Sequence, residues 1–332
     1  MPTPTNFPLP YKRLIERGFP IGRLCTRAGV ELADRLSTAD FFRLWRIAEQ
    51  EFDDPATGLR FGAEAVSQGY GVAATVALHA PDLRHALAAL ARYKRLTCPE
   101  SIDVEVAGSK TIVRYRWLEA NTEVPRLLVD MTMASLLALV RRGTADRVAP
   151  VGVELARRAR HHDLLSQHFG CPITFGSLHD AMLFDSAALD MSFATVDREA
   201  FALVTQGLEA KLRSGAGLTP PLGELRVAIA RHLSEGRPPH VETVARRLGL
   251  SSRTLQRRLG AWGTSFQQQL ADVRRTTAVR LLANTELDTV AIAMLLGFIE
   301  PNSFSRAFWS WEQTTPSLWR EQRSFSHAQD PS

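Results

Sequence analysis

Two stretches of this 332-residue chain repeat one another 48 residues apart. One is VARRLGLSSRTLQRRL, residues 244–259; the other is IAMLLGFIEPNSFSRAF, residues 292–308. Val244, Ala245, Leu248, Gly249 and Leu250 align with Ile292, Ala293, Leu296, Gly297 and Phe298. After one inserted residue, Leu255, Arg257 and Leu259 align with Phe304, Arg306 and Phe308. Apolar residues recur at steps of three and four, which predicts helices with one buried face. The shared glycine can take positive φ and close a short first helix before a second begins. A duplicated unit of this kind constrains the region to two helix-turn-helix motifs in series.

The residues left outside the apolar stripes carry the chemistry. Ser251 suits the N-cap of the second helix in the first copy. With Leu255 and Leu259 inward, Arg253, Gln256 and Arg257 fall on the outer face. Arginine can bond guanine bidentately, and glutamine can bond adenine. In the second copy the outer face holds Asn302, Ser303 and Arg306. Between the copies, Ser265–Ala283 predicts one long helix, with Phe266, Leu270, Val273, Thr277 and Leu281 on one side. Such a helix would hold the units rigidly, so that two recognition helices spaced by about one DNA turn, ~34 Å, enter successive major grooves.

Charge agrees with this placement. Residues 222–323 hold 14 Arg, no Lys and 9 Asp and Glu, whereas residues 1–221 hold 26 basic and 25 acidic residues. The positive excess therefore lies in the C-terminal third, as a phosphate-binding surface requires. Within it, residues 240–260 hold five Arg against one acid, while residues 289–323 hold three Arg against three Glu. The first unit is thus expected to supply most of the affinity and salt dependence.

The rest of the chain reads as mixed α and β. Val72–His79 predicts a strand; Asp82 caps a helix running to about Leu96; Ile102–Val106 and Thr111–Trp117 form a hairpin with one buried and one charged face. Val124–Arg142 predicts a helix, Val148–Leu155 a strand, Arg157–Phe169 a helix, and a second hairpin runs through Phe175 and Leu183. Both halves then read strand, helix, Cys-Pro (Cys98-Pro99 and Cys171-Pro172), hairpin, which suggests a duplicated βαββ unit with a ligand groove between copies. The linker is RSGAGLTPP, residues 213–221. The expected organisation is a domain at 1–212 and an all-α domain at 222–325. No apolar run reaches the ~18 residues of a membrane helix, and Met1–Tyr11 is proline-rich without an apolar signal core, so a cytoplasmic chain with no membrane partner is expected.

The stretch Val241–Arg320 resembles the DNA-binding domain of the AraC/XylS family, through ARRLGLSSRTLQRRL, GTSFQQQLADVRRTTAVRLL, VAIAMLLGF, SFSRAF and TTPSLWR. The resemblance implies sequence-specific binding of double-stranded promoter DNA, commonly by an activator that contacts RNA polymerase, with paired sites and a homodimer. It puts Arg253, Gln256 and Arg257, and then Asn302, Ser303 and Arg306, at base-reading positions. Ser252, Thr254, Arg258 and Arg246 are candidates for phosphate contact. The first 210 residues resemble the arabinose-binding-type sensor domain of the branch containing regulators of ornithine use and virulence, through LRHALAALARYKRL, HHDLLSQHFGCPITFGSLHDAMLFD and the helix near Leu127–Leu139. That implies a small-molecule effector or dimerisation and names no contact residues. The sequence departs from the family at Ile299, where a polar cap is usual, at Gln313, where glycine is usual, and at Trp309, usually polar or basic.

Other classes fit less well. Some proteins of this type carry alkyltransferase chemistry on cysteine, but neither Cys98 nor Cys171 has a base beside it in sequence. His161, His162 and His168 share one predicted helix; His161 and His168 lie two turns apart, ~10 Å, too far for one ion. No catalytic residue, cofactor or metal is expected. His79 and His85 flank a helix start and read as structural. The live alternative is a ligand-independent regulator whose N-terminal domain dimerises or docks a partner through Leu127–Val140 or Phe201–Leu212.

Overall fold

The computed structural model describes residues 6–8, 20–31, 35–66, 72–94, 100–117, 124–213, 221–234 and 236–328. Helix α6, Arg126–Thr144, is the N-terminal domain's central element; by the order β1 Asn6–Pro8, α1 Ile21–Ala28, β2 Arg35–Ser37, α2 Thr38–Glu51, α3 Thr57–Ala65, α4 Val72–Leu78, α5 Leu83–Tyr93, β3 Glu100–Ala107 and β4 Lys110–Trp117 it follows the first half of the sheet. Leu127, Leu128, Val129, Met133, Leu136, Leu137 and Val140 are all buried, so apolar residues occupy most of its circumference. That is the pattern of a helix packed on several sides. Helix α3 crosses it closely enough that a Cβ on Gly58 would lie 2.7 Å from the Leu127 carbonyl oxygen, and one on Gly62 would collide with the Met131 carbonyl. A helix this deeply covered is not available as the dimer surface expected at Leu127–Val140.

After α6 come β5 Gly152–Leu155, α7 His162–Phe169, β6 Ile173–Phe175, β7 Asp180–Asp185 and α8 Arg198–Arg213. The five-stranded sheet has the order β3-β4-β7-β5-β6, with β5 and β6 parallel and the other neighbours antiparallel. Strands β1 and β2 pair separately. The hairpin β3–β4 turns at Gly108, whose φ is +62°. Asp103 lies opposite Arg114 and Glu105 opposite Ile112, and the ion pairs run diagonally, Arg116 to Asp103 at 2.5 Å and Arg114 to Glu105.

Four expectations are corrected. Val72–Leu78 is helical: Ala73, Val76 and Ala77 are buried at helical spacing, and alanine's high helix propensity prevails over the valines in this short segment. Strands β6 and β7 are not a hairpin, because β5 lies between them and pairs with both. With one unit lacking its first strand and the other its hairpin, the βαββ duplication is absent. The helix expected from Arg157 begins at His162, after His161 at φ +54°. Cys98, Pro99 and residues 214–220 of the expected linker lie outside the described residues.

The C-terminal part is helical: α9 Pro221–Ser234, α10 Val241–Arg247, α11 Ser252–Ala261, α12 Phe266–Asn284, α13 Thr289–Leu295, α14 Pro301–Glu312 and α15 Pro316–Ala328. Buried apolar residues form three separate clusters. One fills the N-terminal domain, the second joins α9, α10, α11 and the start of α12, and the third joins the end of α12 to α13 and α14. No helix of the described residues is long and apolar enough to cross a membrane.

Candidate nucleic-acid interface

Each cluster in the C-terminal part organises one helix-turn-helix unit. In the first, α10 ends at a turn in which Gly249 takes φ +69° and Leu250 N–H bonds the Ala245 carbonyl at 2.9 Å. Ser251 then caps α11, its hydroxyl accepting the Thr254 N–H at 3.1 Å. Leu255 and Leu259 are buried against Val244 and Ala245. That inward anchoring leaves Arg253, Gln256, Arg257 and Arg258 exposed, with Arg246 exposed on α10 and Ser252 and Thr254 half-buried.

The second unit repeats the construction with one more residue in its turn. Gly297 takes φ +70°, and Phe298 N–H bonds the Ala293 carbonyl at 3.0 Å. Asp288 caps α13 by accepting the Ala291 N–H at 2.7 Å. Helix α14 starts without a side-chain cap: Glu300 stands at the N-cap and Pro301 opens the first turn. Proline suits this position because its missing N–H would have no partner there. Ile299, where a polar cap was noted as missing, is 98% exposed. Phe304 and Phe308 are fully buried; Asn302 and Arg306 are exposed, and Arg306 Nη2 donates to the half-buried Ser303 hydroxyl at 3.2 Å. Gln313 adopts φ +55° at the end of α14, the left-handed turn at which the family's usual glycine would be unstrained.

Helix α12 belongs to both units. Phe266, Leu270 and Val273 enter the first core, and Ala278, Val279, Leu281 and Leu282 enter the second. Arg274, midway, donates to the Leu296 and Gly297 carbonyls at 2.8 and 2.9 Å and lies 4.3 Å from the Phe298 ring centroid. It pins the second turn to the shared helix.

Much of the arginine excess is therefore structural. Arg226 bonds Gln269 and Asp272, Arg275 pairs with Glu312 at 2.6 Å, and Arg320 Nη2 bonds the Leu287 carbonyl at 2.6 Å. The exposed cations that remain cluster on the first unit. Trp309, singled out in the sequence only as a departure from the family's pattern, is 52% exposed, one turn after Arg306 on α14.

The two parts of the protein touch through charged residues. Asp103 on β3, 6% exposed, accepts from Arg116 and from Arg231 of α9. Burial alone would raise its carboxyl; the two guanidinium groups outweigh that and hold it below the ordinary carboxylate value. Arg280 of α12 donates to the Leu178 carbonyl and lies 3.1 Å from His179 Nδ1. Burial, followed by the charges of Arg116, Arg280 and Arg114, pushes the His179 imidazole down to about 2. His179 thus stays neutral when packed, whereas a free imidazole binds a proton near pH 6.5. Since the unfolded state binds the extra proton, stability falls as pH drops. Between pH 7 and 5 the His179 contribution to unfolding free energy is expected to decline by up to about 2 kcal/mol. Thermal melting of the wild type and His179→Gln at both pH values checks this: the variant loses less stability on acidification.

Cys171 is buried and burial pushes its thiol up, away from the thiolate a nucleophile needs. Among the described residues no three His, Cys, Asp or Glu side chains are grouped to hold a metal. On α8, Glu209 accepts from Arg92 and Tyr93 at 2.8 and 3.0 Å, while Leu203 is 71% exposed.

Residues 18–193 match the family model described as the arabinose-binding domain of AraC transcription regulators, N-terminal, and residues 244–322 match a helix-turn-helix domain model. The chain is 28% identical over 292 residues to the ornithine utilization regulator of Pseudomonas aeruginosa, covering 86% of this chain and 85% of that protein. It is 29% identical over 301 residues to the transcriptional regulator VirS of Mycobacterium tuberculosis, covering 86% and 84%. Among solved structures, the transcriptional regulator CdpR from Pseudomonas aeruginosa aligns with 92% of this chain and 98% of its own at 20% identity and a TM-score of 0.44.

Proposed function

The chain belongs to the AraC family of transcription regulators, and on that premise we propose that it reads two successive major-groove segments of one operator, under the control of a small molecule sensed through its N-terminal domain. One observation carries the two-segment reading: two recognition helices turn polar faces outward from separate cores fixed to a single helix. Arg253, Gln256 and Arg257 read bases in the first segment, and Asn302, Ser303 and Arg306 in the second. Arg246, Arg258, Ser252 and Thr254 contact flanking phosphates. The concentration of exposed arginine on the first unit supports its providing most of the affinity, with the second unit tuning specificity. Activation through RNA polymerase and binding as a homodimer follow from the family resemblance, and the exposed Leu203 face of α8 is available for the dimer.

Selection of the full chain against a random-duplex pool at two salt concentrations tests the reading. The expected product is a motif of about 20 base pairs with two boxes about one helical turn apart. Enrichment of a single box would reduce the second unit to a partner-binding role. Binding without any enrichment would remove sequence reading altogether.

A further inference from the structure

A cavity of about 370 Å³ lies between the two parts of the protein. The N-terminal domain lines it with Thr38, Arg116, Trp117 and His179, and the DNA-binding part closes it with residues of α9 and α12 that include Val273, Arg280 and Leu281. It is not the groove between sheet repeats that the sequence suggested. Its lining is divided: aromatic and aliphatic surface on one hand, and a cluster of cations on the other.

Most of those cations have carboxylate partners. Arg116 is paired with Asp103, Arg226 with Asp272 and Arg275 with Glu312. Arg280 differs, since it forms no ion pair with a carboxylate among the described residues and bonds only the Leu178 carbonyl and His179. The guanidinium must donate to His179 Nδ1, because arginine has no acceptor. Neutral His179 therefore carries its proton on Nε2, and that atom is buried without a hydrogen-bond partner. Arg280 thus brings a positive charge without a carboxylate ion pair to a wall that also carries apolar surface, a combination suited to an anionic group on an apolar body.

We propose that this cavity binds a small organic anion, a carboxylate or sulfonate on an apolar body, with the anionic group on Arg280 and the body against Trp117, Val273 and Leu281. The assignment deepens the effector-sensing reading and rests on it. The occupant touches both domains and lies against α12, the helix that fixes one recognition unit relative to the other. Differential binding between docked and undocked arrangements then couples the cavity to DNA affinity.

Two fluorescent probes of nearly equal size separate charge from apolar filling: 1-anilinonaphthalene-8-sulfonate and its uncharged counterpart N-phenyl-1-naphthylamine. Titrated into the full chain, the sulfonate is expected to saturate at one site. Arg280→Gln is expected to weaken it about tenfold or more, as loss of a charge-assisted bond should, and to leave the neutral probe within about twofold. Arg280→Lys, which keeps the charge but loses the fork, is expected to bind the sulfonate with an affinity between those of wild type and Arg280→Gln. Circular dichroism establishes that each variant is folded. Absence of saturable sulfonate binding, or equal binding by wild type and folded Arg280→Gln, overturns the proposal. Sulfonate binding that depends on Arg280 yet leaves affinity for the selected operator unchanged upholds the site and counts against the sensing reading alone.

Discussion

Replacing Arg253 and Arg257 together by alanine is expected to weaken binding to the selected operator by about 100-fold to 1,000-fold, because each bidentate guanine contact contributes roughly 1–3 kcal/mol. Both side chains are exposed on α11, opposite Leu255 and Leu259, so their removal leaves the core beneath intact. Arg306→Ala, in the electrically balanced second unit, is expected to cost about tenfold or less. Dissociation constants measured over a range of salt, for the operator and a scrambled duplex, distinguish the roles. Loss of a base contact lowers affinity for the operator far more than for the scrambled sequence. Loss of a phosphate contact weakens both alike and lowers the salt slope by about 0.9 per contact. Equal losses from Arg257→Ala and Arg306→Ala would defeat the ranking of the two units.

Gly62→Val is expected to destabilise the N-terminal domain by about 3 kcal/mol or more, because overpacking here meets backbone rather than a movable side chain. A Cβ at Gly62 collides with the Met131 carbonyl on α6, and Ala134 Cβ is also too close. Relief would require α3 to move off the domain's central helix. Gly207→Ala on α8 is the control: a Cβ there meets nothing within 4 Å, and the substitution should raise stability by up to about 1 kcal/mol through helix propensity. Thermal melting of the three proteins checks the pair. Since neither C-terminal core includes a residue of the N-terminal cluster, Gly62→Val should retain the unfolding transition of the DNA-binding part.

The ease with which different parts of the protein can be read from its sequence follows from how local their causes are. The two helix-turn-helix units announce themselves because their determinants, the glycine turn and the apolar steps at Val244, Leu248, Leu255 and Leu259, all lie within one short segment. The α5 cap at Asp82 and the β3–β4 hairpin are local in the same sense. Val72–Leu78 departs from the strand expected of it because its five alanine and valine residues, with Thr75 and Leu78, satisfy strand and helix patterns alike, and contacts made elsewhere decide between them. The misplaced hairpin at Phe175–Leu183 has a different cause: β5 inserts between β6 and β7, and strand order is a property of the whole sheet. Net charge identified the DNA-binding part but could not separate Arg257, which is free of the core, from Arg274 and Arg320, which hold carbonyls. The cavity was not legible at all, because His179 and Arg280 are a hundred residues apart and meet only when the two parts dock.

The junction inside α12 sets a rule for how such a protein can change. Its 19 residues span about 28 Å, and the handover between cores falls between Val273 and Ala278. One residue inserted there would leave each core its own contacts but advance the second unit by about 1.5 Å and swing it through about 100° around the helix axis. If α14 enters a groove as proposed, its Arg306 face would then point away from it. On the two-segment reading proposed above, substitutions on α11 or α14 would revise either word of the operator in small steps. The distance between the words can change only in jumps of about one helical turn, so lineages descending from this architecture should vary freely in what they read and hardly at all in the length of this helix.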